Sequence, residues 1–147
     1  MSPEALKKIA RQHIDLTWNK GRLGLVARLH SKDFIYKSSF ANATLASDGF
    51  VELVEGIRHA MPDIQVVIED CIVEGLQVCT WSTMIGIISQ PAFGYPASDK
   101  VVSIAAMAFW RFNNKGEIQE ICSLFDMESF RAQMGLSIRP LAQLALP

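Results

Sequence analysis

The sequence predicts an α+β fold in which helices come first and an antiparallel sheet follows. Apolar residues recur at helical spacing from Leu6 to Trp18. From Ile64 onward the pattern changes to β-rich runs separated by glycine-containing turns, and the last two runs form a long hairpin around Asn113-Asn-Lys-Gly116. This order differs from the alternating strands and helices of a parallel α/β fold. The length of 147 residues fits a single domain over 1–147.

Three helices and one strand are predicted in the first part of the chain. Ser2 is a favoured N-cap and Pro3 a favoured first helical residue, so the first helix begins there and ends near Asn19. Asp48 is the predicted N-cap of the third helix, which stops before Pro62. The elements, in order, are a helix over 3–19, a helix over 22–29, a strand over 34–37, a polar loop over 38–47 and a helix over 48–61.

The second part of the chain is predicted to form four strands and a short amphipathic segment. The tail after Gly135 is too apolar for a free end, so we expect it to dock on a neighbouring surface or a partner subunit. The elements, in order, are strands over 64–73, 76–89, 101–112 and 117–126, a Pro/Gly-rich loop over 90–100 between the second and third, and the amphipathic segment over 127–134.

Charge and cysteine content argue against several classes of protein. The formal net charge is −1 and no basic stripe appears, which disfavours binding to nucleic acid or to an anionic membrane. We expect no membrane span and no secretion signal, because no apolar run has the required length. Cys71, Cys79 and Cys122 lie in apolar strands without Cys-x-x-Cys spacing, which predicts free thiols and a cytoplasmic location. The three histidines lack metal-ligand spacing, so no metal site is expected.

The apolar composition predicts a cavity, a subunit interface or both. Half of the residues are hydrophobic and the mean hydropathy is +0.19. Some of this apolar surface could line a pocket, and the strand containing Phe109 and Trp110 could present an apolar face that one helix layer cannot cover. We therefore expect a homodimer or a higher homo-oligomer.

Asp126 is the leading candidate for chemistry. It follows the apolar run Ile121-Cys-Ser-Leu-Phe125, and a carboxyl group in such surroundings holds its proton more tightly. Strand alternation places Asp126 on one face with Leu124, Cys122 and Glu120. The competing interpretation is that Asp126 is the N-cap of the segment that begins at Met127. By the same alternation Thr80, Ser82 and Met84 share a face, while the strand over 101–112 allows either Met107/Phe109 or Ala106/Ala108/Trp110 to face inward.

The order of several short motifs resembles the SnoaL-like polyketide cyclases, a branch of the nuclear transport factor 2-like superfamily. The resemblance spans about residues 5 to 135 and implies a cystatin-like, cone-shaped, curved antiparallel sheet packed with N-terminal helices around a pocket. The motifs are Met61-Pro-Asp63, Val73-Glu-Gly75, Asn114-Lys-Gly116, Asp126 and Met134-Gly135.

The resemblance also implies a cofactor-independent cyclase or isomerase in which Asp126 is the acid/base. Many family members have a pocket histidine where this chain has Met84, so we expect an apolar, polycyclic natural-product substrate of polyketide or terpenoid type. The loop over 91–96 is the predicted lid, and His13, His30 and His59 are expected to be structural. The predicted substrate-binding residues are Met84, Ser82, Cys122, Leu124, Trp110, Phe93 and Tyr95.

Two other functions remain open at the level of sequence. Epoxide opening, as in the limonene-epoxide-hydrolase relatives, needs a cluster of Asp, Arg and Asp around a water, whereas this chain shows one clear acid. A small-ligand-binding or dimerisation module without catalysis uses the same fold, because fold alone does not fix function.

Overall fold

The computed structural model describes residues 1–40 and 43–136. Ser2 caps the first helix as predicted, with its hydroxyl accepting from the Ala5 N–H at 3.1 Å. Asp48 is not the N-cap of the third helix, since that helix starts at Ser47 and Asp48 lies in its first turn, where its negative charge favours the helix dipole. The helices of the N-terminal layer are α1 Pro3–Ile14, α2 Leu23–Ala27 and α3 Ser47–Ala60.

A π-helical turn, Asp15–Asn19, extends α1 and explains why the helical pattern continues to Asn19. The extra residue of a π turn changes which side chains face the sheet. Here it buries Thr17 and Trp18, and it brings the Asn19 amide to the backbone of Val66. The amide accepts from the Val66 N–H at 2.7 Å and donates to the Val66 carbonyl at 3.1 Å.

The sheet is curved, has five strands and is closed by the helices on its concave side. The predicted α+β class is confirmed, since the helices come first and a curved sheet follows. The strands are β1 His30–Ser38, β2 Gln65–Glu74, β3 Gln77–Ile87, β4 Val101–Phe112 and β5 Ile118–Phe125, and their spatial order is β1-β5-β4-β3-β2. The short helix α4, Met127–Gln133, follows β5.

One pair of strands departs from the predicted antiparallel arrangement. β2 to β5 pair antiparallel with their neighbours, but β1 pairs parallel with β5. A parallel pair requires a long connection between its strands. Here that connection contains α3 and the strands β2, β3 and β4, so β1 joins the sheet at its far edge.

The burial pattern shows which side chains point into the cone. On β4, Ala106 and Trp110 are buried whereas Met107 and Phe109 are exposed, which resolves the choice left open by the sequence. The inward residues of β3 are Thr80, Ser82 and Met84. On β5 they include Ile121 and Ser123.

Several further sequence expectations can be compared with the structure. None of the helices in the described part of the chain is long and apolar enough to span a membrane. The three cysteines are free, with Cys71 buried and Cys79 and Cys122 half-buried. Burial raises the pKa of the Cys71 thiol. The predicted docking of the C-terminal tail falls on 137–147, outside the described residues.

Candidate functional site

Two adjoining chambers lie between the helices and the concave face of the sheet. Tyr36, Met84 and Phe125 line both of them, so the chambers meet at these three side chains. One chamber is almost entirely hydrocarbon and aromatic, and we call it the apolar chamber. The other contains an imidazole and several hydroxyl groups, and we call it the histidine chamber.

The apolar chamber lies between α3, α4, the ends of β3 and β4, and the loop after β3. It encloses about 670 Å³, including its open mouth. A lining of this kind favours apolar ligands, because burying an unpaired charge is costly. Besides the three shared residues, the lining consists of Phe40, Leu53, Ile57, Ala60, Met61, Ile88, Ala92, Phe93, Tyr95, Val102, Ile104, Met127 and Phe130.

The histidine chamber lies between α1, Phe50 of α3, and the inner faces of β3, β4 and β5. Its empty space is about 460 Å³ when the open solvent at its mouth is included. Its polar lining residues come from four different elements, so they converge only in the folded chain. They are His13 of α1, Tyr36 of β1, Thr80 and Ser82 of β3, and Ser123 of β5.

His13 and His30 form a buried hydrogen-bonded pair at this chamber. Their Nε2 atoms are 2.8 Å apart, and the side chains are only 2% and 7% exposed. His30 Nδ1 lies 2.7 Å from the Ser47 hydroxyl, whereas His13 Nδ1 lies 3.4 Å from the Thr17 hydroxyl. The pair therefore has one short and one long polar contact at its two ends.

Aromatic rings surround the pair and keep it in the neutral form. His30 stacks on Phe34 with ring centroids 3.6 Å apart, His13 meets Trp110 edge-on at 5.1 Å, and Phe50 contacts both imidazoles. Burial lowers the pKa of His30 to about 4. Burial, and then the neighbouring His30, lower the pKa of His13 well below its usual value.

The hydroxyl groups of the histidine chamber are positioned by the sheet. The Trp110 indole N–H donates to Thr80 Oγ1 at 3.0 Å. The Tyr36 hydroxyl is hydrogen-bonded to Ser123 and Ser38, and burial raises its pKa. Ser82 is 7% exposed and lines the chamber. An uncharged hydrogen-bonding group of a ligand would therefore meet hydroxyl groups here.

Phe93 covers part of the apolar chamber from the loop after β3. Its ring packs edge-on against the ring of Phe40, with the centroids 4.9 Å apart. The ring also lies close to Gly56 of α3, because a Cβ atom added at that glycine would be only 3.1 Å from it. The backbone of Phe93 has φ 54°, a conformation that is costly for a bulky residue. Phe93 and Tyr95 thus line the apolar chamber on the loop that the sequence indicates as a lid.

The structure places Asp126 differently from the expected enclosed position. Its side chain is exposed and accepts a hydrogen bond from the Ser129 N–H at 3.0 Å, as the N-cap of α4. Phe125 and Met127, on either side, line the apolar chamber, but Asp126 itself does not, so it lies next to the chamber in sequence with its carboxylate in solvent. The expectation of a buried carboxyl is wrong because the face shared with Leu124 is the outer face of the sheet.

Two predicted substrate-binding residues also lie on the outer face of the sheet and not on the expected inner face. Cys122 is half-buried and Leu124 is 63% exposed, and both lie on the outer face of β5. The inward side of β5 carries Ser123 because Ser123 pairs with Ala108, next to the inward-facing Ala106 and Trp110 of β4. The other predicted substrate-binding residues line a chamber, and these are Met84, Ser82, Trp110, Phe93 and Tyr95.

Sequence reasoning missed the pairing of His13 with His30 and the inward position of Tyr36. The two histidines are 17 positions apart, on a helix and a strand, and no spacing rule connects them. The available signal was a histidine on the apolar face of α1, one helical turn before Thr17. Within 1–40 and 43–136, no group of three or more His, Cys, Asp or Glu side chains could hold a metal ion.

Comparison with known proteins identifies the family. A sequence model of the SnoaL-like polyketide cyclases matches residues 8–134, so the chain belongs to this family. The fold is similar to AclR, a candidate hydroxylase from Streptomyces galilaeus, with a TM-score of 0.82, 22% identity and coverage of 97% of this chain and 93% of AclR. No protein of curated function matches the chain at a significant level.

A second solved structure has the same fold. IdmH, a candidate polyketide cyclase from Streptomyces antibioticus, gives a TM-score of 0.79 at 18% identity, covering 89% of this chain and 99% of IdmH. TsrD from Streptomyces laurentii gives a TM-score of 0.81 at 15% identity, covering 93% and 99%. Identities this low establish the shared fold and leave the chemistry of this chain to its own residues.

Proposed function

We propose that this protein is a cofactor-independent cyclase or isomerase that acts on an uncharged, apolar natural-product intermediate. The observation that carries the proposal is the joined pair of chambers, one lined by hydrocarbon and the other by an imidazole and hydroxyl groups. The apolar chamber binds the body of the substrate, and the histidine chamber accommodates its polar end. Membership of the SnoaL-like family supports an enzymatic role.

The character of the lining also favours this chemistry over epoxide hydrolysis. Water-activating epoxide opening needs carboxylates and a guanidinium around one water. The polar side chains that line the histidine chamber are instead an imidazole, a phenol and aliphatic hydroxyls. These groups suit proton transfer at a carbon next to a carbonyl, with hydroxyl donors for the oxygen.

Asp126 remains a proposed acid/base outside the chambers. Its carboxylate is exposed and bonded to the Ser129 N–H, so it can act only on substrate atoms that reach the mouth of the apolar chamber. If Asp126, rather than a group inside the chambers, transfers the proton, its replacement by asparagine should lower kcat by about 10²–10⁴-fold. A pure cap would lose stability instead.

Binding of an uncharged apolar probe tests the proposed site. We expect Nile red to bind and gain fluorescence, and Ala92→Trp, which fills the apolar chamber, to weaken binding at least about tenfold. Ala97→Trp is the matched control, because Ala97 lies in the same loop, is exposed and does not line a chamber. Methyl decanoate should displace the probe at least about tenfold better than decanoate, since the chamber favours a neutral ligand.

Equal binding by the two tryptophan variants would place the dye elsewhere on the protein. Preference for decanoate over its methyl ester would contradict a neutral ligand. A protein that binds these probes but shows no proton-transfer chemistry would be a ligand-binding module.

We further propose that the protein forms a homodimer through the outer face of the sheet. Trp81, Met107 and Leu124 are directly opposite one another on β3, β4 and β5, and they are 51%, 51% and 63% exposed. Phe109 lies two positions after Met107 on β4, on the same face, and is 39% exposed. Such a contiguous apolar patch is typical of a protein–protein interface.

Sedimentation at micromolar concentration tests the dimer. We expect a mass of about twice 16.3 kDa for the protein and a monomer for Leu124→Lys, because a lysine within an apolar interface is costly to bury. Leu25→Lys is the control, since Leu25 is 43% exposed on α2, away from the sheet. A wild-type mass of 16.3 kDa would contradict the proposal.

A further inference from the structure

His13 is a buried titratable side chain that lines the histidine chamber, and its two nitrogens are in unequal environments. Nε2 is 2.8 Å from His30 Nε2, a full hydrogen bond. Nδ1 is 3.4 Å from the Thr17 hydroxyl, at the outer limit for such a bond. One nitrogen is therefore firmly engaged and the other is held loosely.

The hydrogen-bond pattern allows a tautomer in which the loosely held nitrogen is a free base. Only one of the two facing Nε2 atoms can carry the shared proton when both rings are neutral. If His13 carries it, the lone pair of His13 Nδ1 accepts only the long contact from the Thr17 hydroxyl at 3.4 Å, and His30 carries its proton on Nδ1 and donates to Ser47 at 2.7 Å. Every polar atom of the pair then has a partner, and the weakest of these contacts, from the Thr17 hydroxyl to His13 Nδ1, is the one that a substrate must displace to reach the base.

We propose that His13 is the proton acceptor of this site and that His30 is its positioning residue. The inference rests on the proposed function, because it assumes that an uncharged carbon acid enters the histidine chamber. In the step, the C–H bond of the substrate breaks and an N–H bond forms at His13 Nδ1. The electron pair moves onto the substrate oxygen, and a chamber hydroxyl such as Ser82 donates a hydrogen bond to it.

The His13–His30 hydrogen bond suits this step for two reasons. It fixes the ring orientation and the tautomer of His13, as the partner of a catalytic imidazole must. It also shares the positive charge that His13 gains, since His13 Nε2–H can move toward His30 while His30 Nδ1–H remains bonded to Ser47. In the resting state burial among aromatic rings keeps both rings neutral, so the lone pair of His13 is not already protonated, and the shared hydrogen bond to His30 offsets part of the cost of charging His13.

A chromogenic carbon acid can test the base without knowledge of the natural substrate. 5-Nitrobenzisoxazole is uncharged, and a base that removes its C3 proton breaks the N–O bond and releases a coloured phenolate. We expect the protein to accelerate this elimination and His13→Gln to lower kcat/KM by about 10²–10³-fold. His30→Gln should lower it about tenfold, because His13 remains but loses its orientation.

His59→Gln is the matched control, since His59 is exposed at the end of α3 and lines neither chamber. Its turnover should equal that of the wild type. Full turnover in His13→Gln would overturn the inference, as would loss of turnover in Asp126→Asn with His13→Gln unaffected, which would assign the proton to Asp126.

A second measurement covers the case in which His13→Gln does not fold. In the wild-type protein, the unreactive analogue 6-nitrobenzotriazole should shift the ¹⁵N resonance of His13 Nδ1, and an unchanged resonance at saturating analogue would overturn the inference. Nile red binding without elimination would overturn it while leaving the proposed pocket intact. Absence of both binding and elimination would remove the proposed function as well.

Discussion

Replacing Phe50 by alanine is expected to lower the free energy of unfolding by about 3–5 kcal/mol. Phe50 is 2% exposed, and its ring lies 4.7 Å from Tyr36, 5.6 Å from His13 and His30, and 5.9 Å from Phe34, measured between centroids. The alanine variant removes the ring that joins α3 to α1 and β1. A loss of this size is a large part of the total stability of a domain, about 5–15 kcal/mol.

Urea unfolding followed by circular dichroism measures this change. Phe93→Ala is the matched control, because Phe93 is 49% exposed and its removal should cost less than about 1 kcal/mol. Similar midpoints for Phe50→Ala and the wild type would show that the core does not depend on Phe50. Equal losses in the two variants would contradict the difference in burial.

The free energy of unfolding is also expected to fall steeply as the pH is lowered from about 6.5 toward 4. The pKa of His30 is lowered to about 4 and that of His13 is lowered as well, so the unfolded chain binds protons in this window before the folded chain does. Stability therefore rises with pH across the window and is fully present above the unfolded value of 6.5. For His30 alone, the difference between the pKa of the unfolded chain and that of the folded chain corresponds to about 3 kcal/mol of folding free energy.

The double variant His13→Leu, His30→Leu should flatten this dependence between pH 6.5 and 5, because both buried imidazoles are gone and neither Nε2 atom is left without the other. Urea midpoints at half-unit pH steps give the comparison. A wild-type midpoint that is constant from pH 7 to pH 5 would mean that the pair is not responsible for acid sensitivity. The same slope in the double variant would assign the sensitivity to other groups.

The sequence predicted the elements whose signals are local. Ser2 and Pro3 mark the start of α1 through capping chemistry, and the Asn113–Gly116 turn joins β4 to β5 as expected. The alternation of side chains along β5 was also predicted correctly, since Asp126 shares a face with Leu124 and Cys122. Each of these features depends on residues within a few positions of one another.

The errors concern contacts between distant parts of the chain. Alternation states which residues share a face but not which face the helices cover, so Asp126 was placed inside the pocket when its strand face is the outer one. The parallel pairing of β1 with β5 joins residues 85 to 88 positions apart in sequence and leaves no local signal. The His13–His30 pair also leaves no local signal in the sequence, because its members are 17 positions apart.

The π turn after α1 also has a consequence for the behaviour of the chain in a crowded solution. β2 is an edge of the sheet, and an uncovered edge offers N–H and C=O groups on which another chain can add a strand. The Asn19 amide uses both backbone groups of Val66, as a neighbouring strand would. At the opposite edge Tyr36 exchanges both backbone bonds with Leu45. The π turn thus helps to prevent intermolecular strand pairing at this edge, while the apolar outer face of the sheet remains exposed.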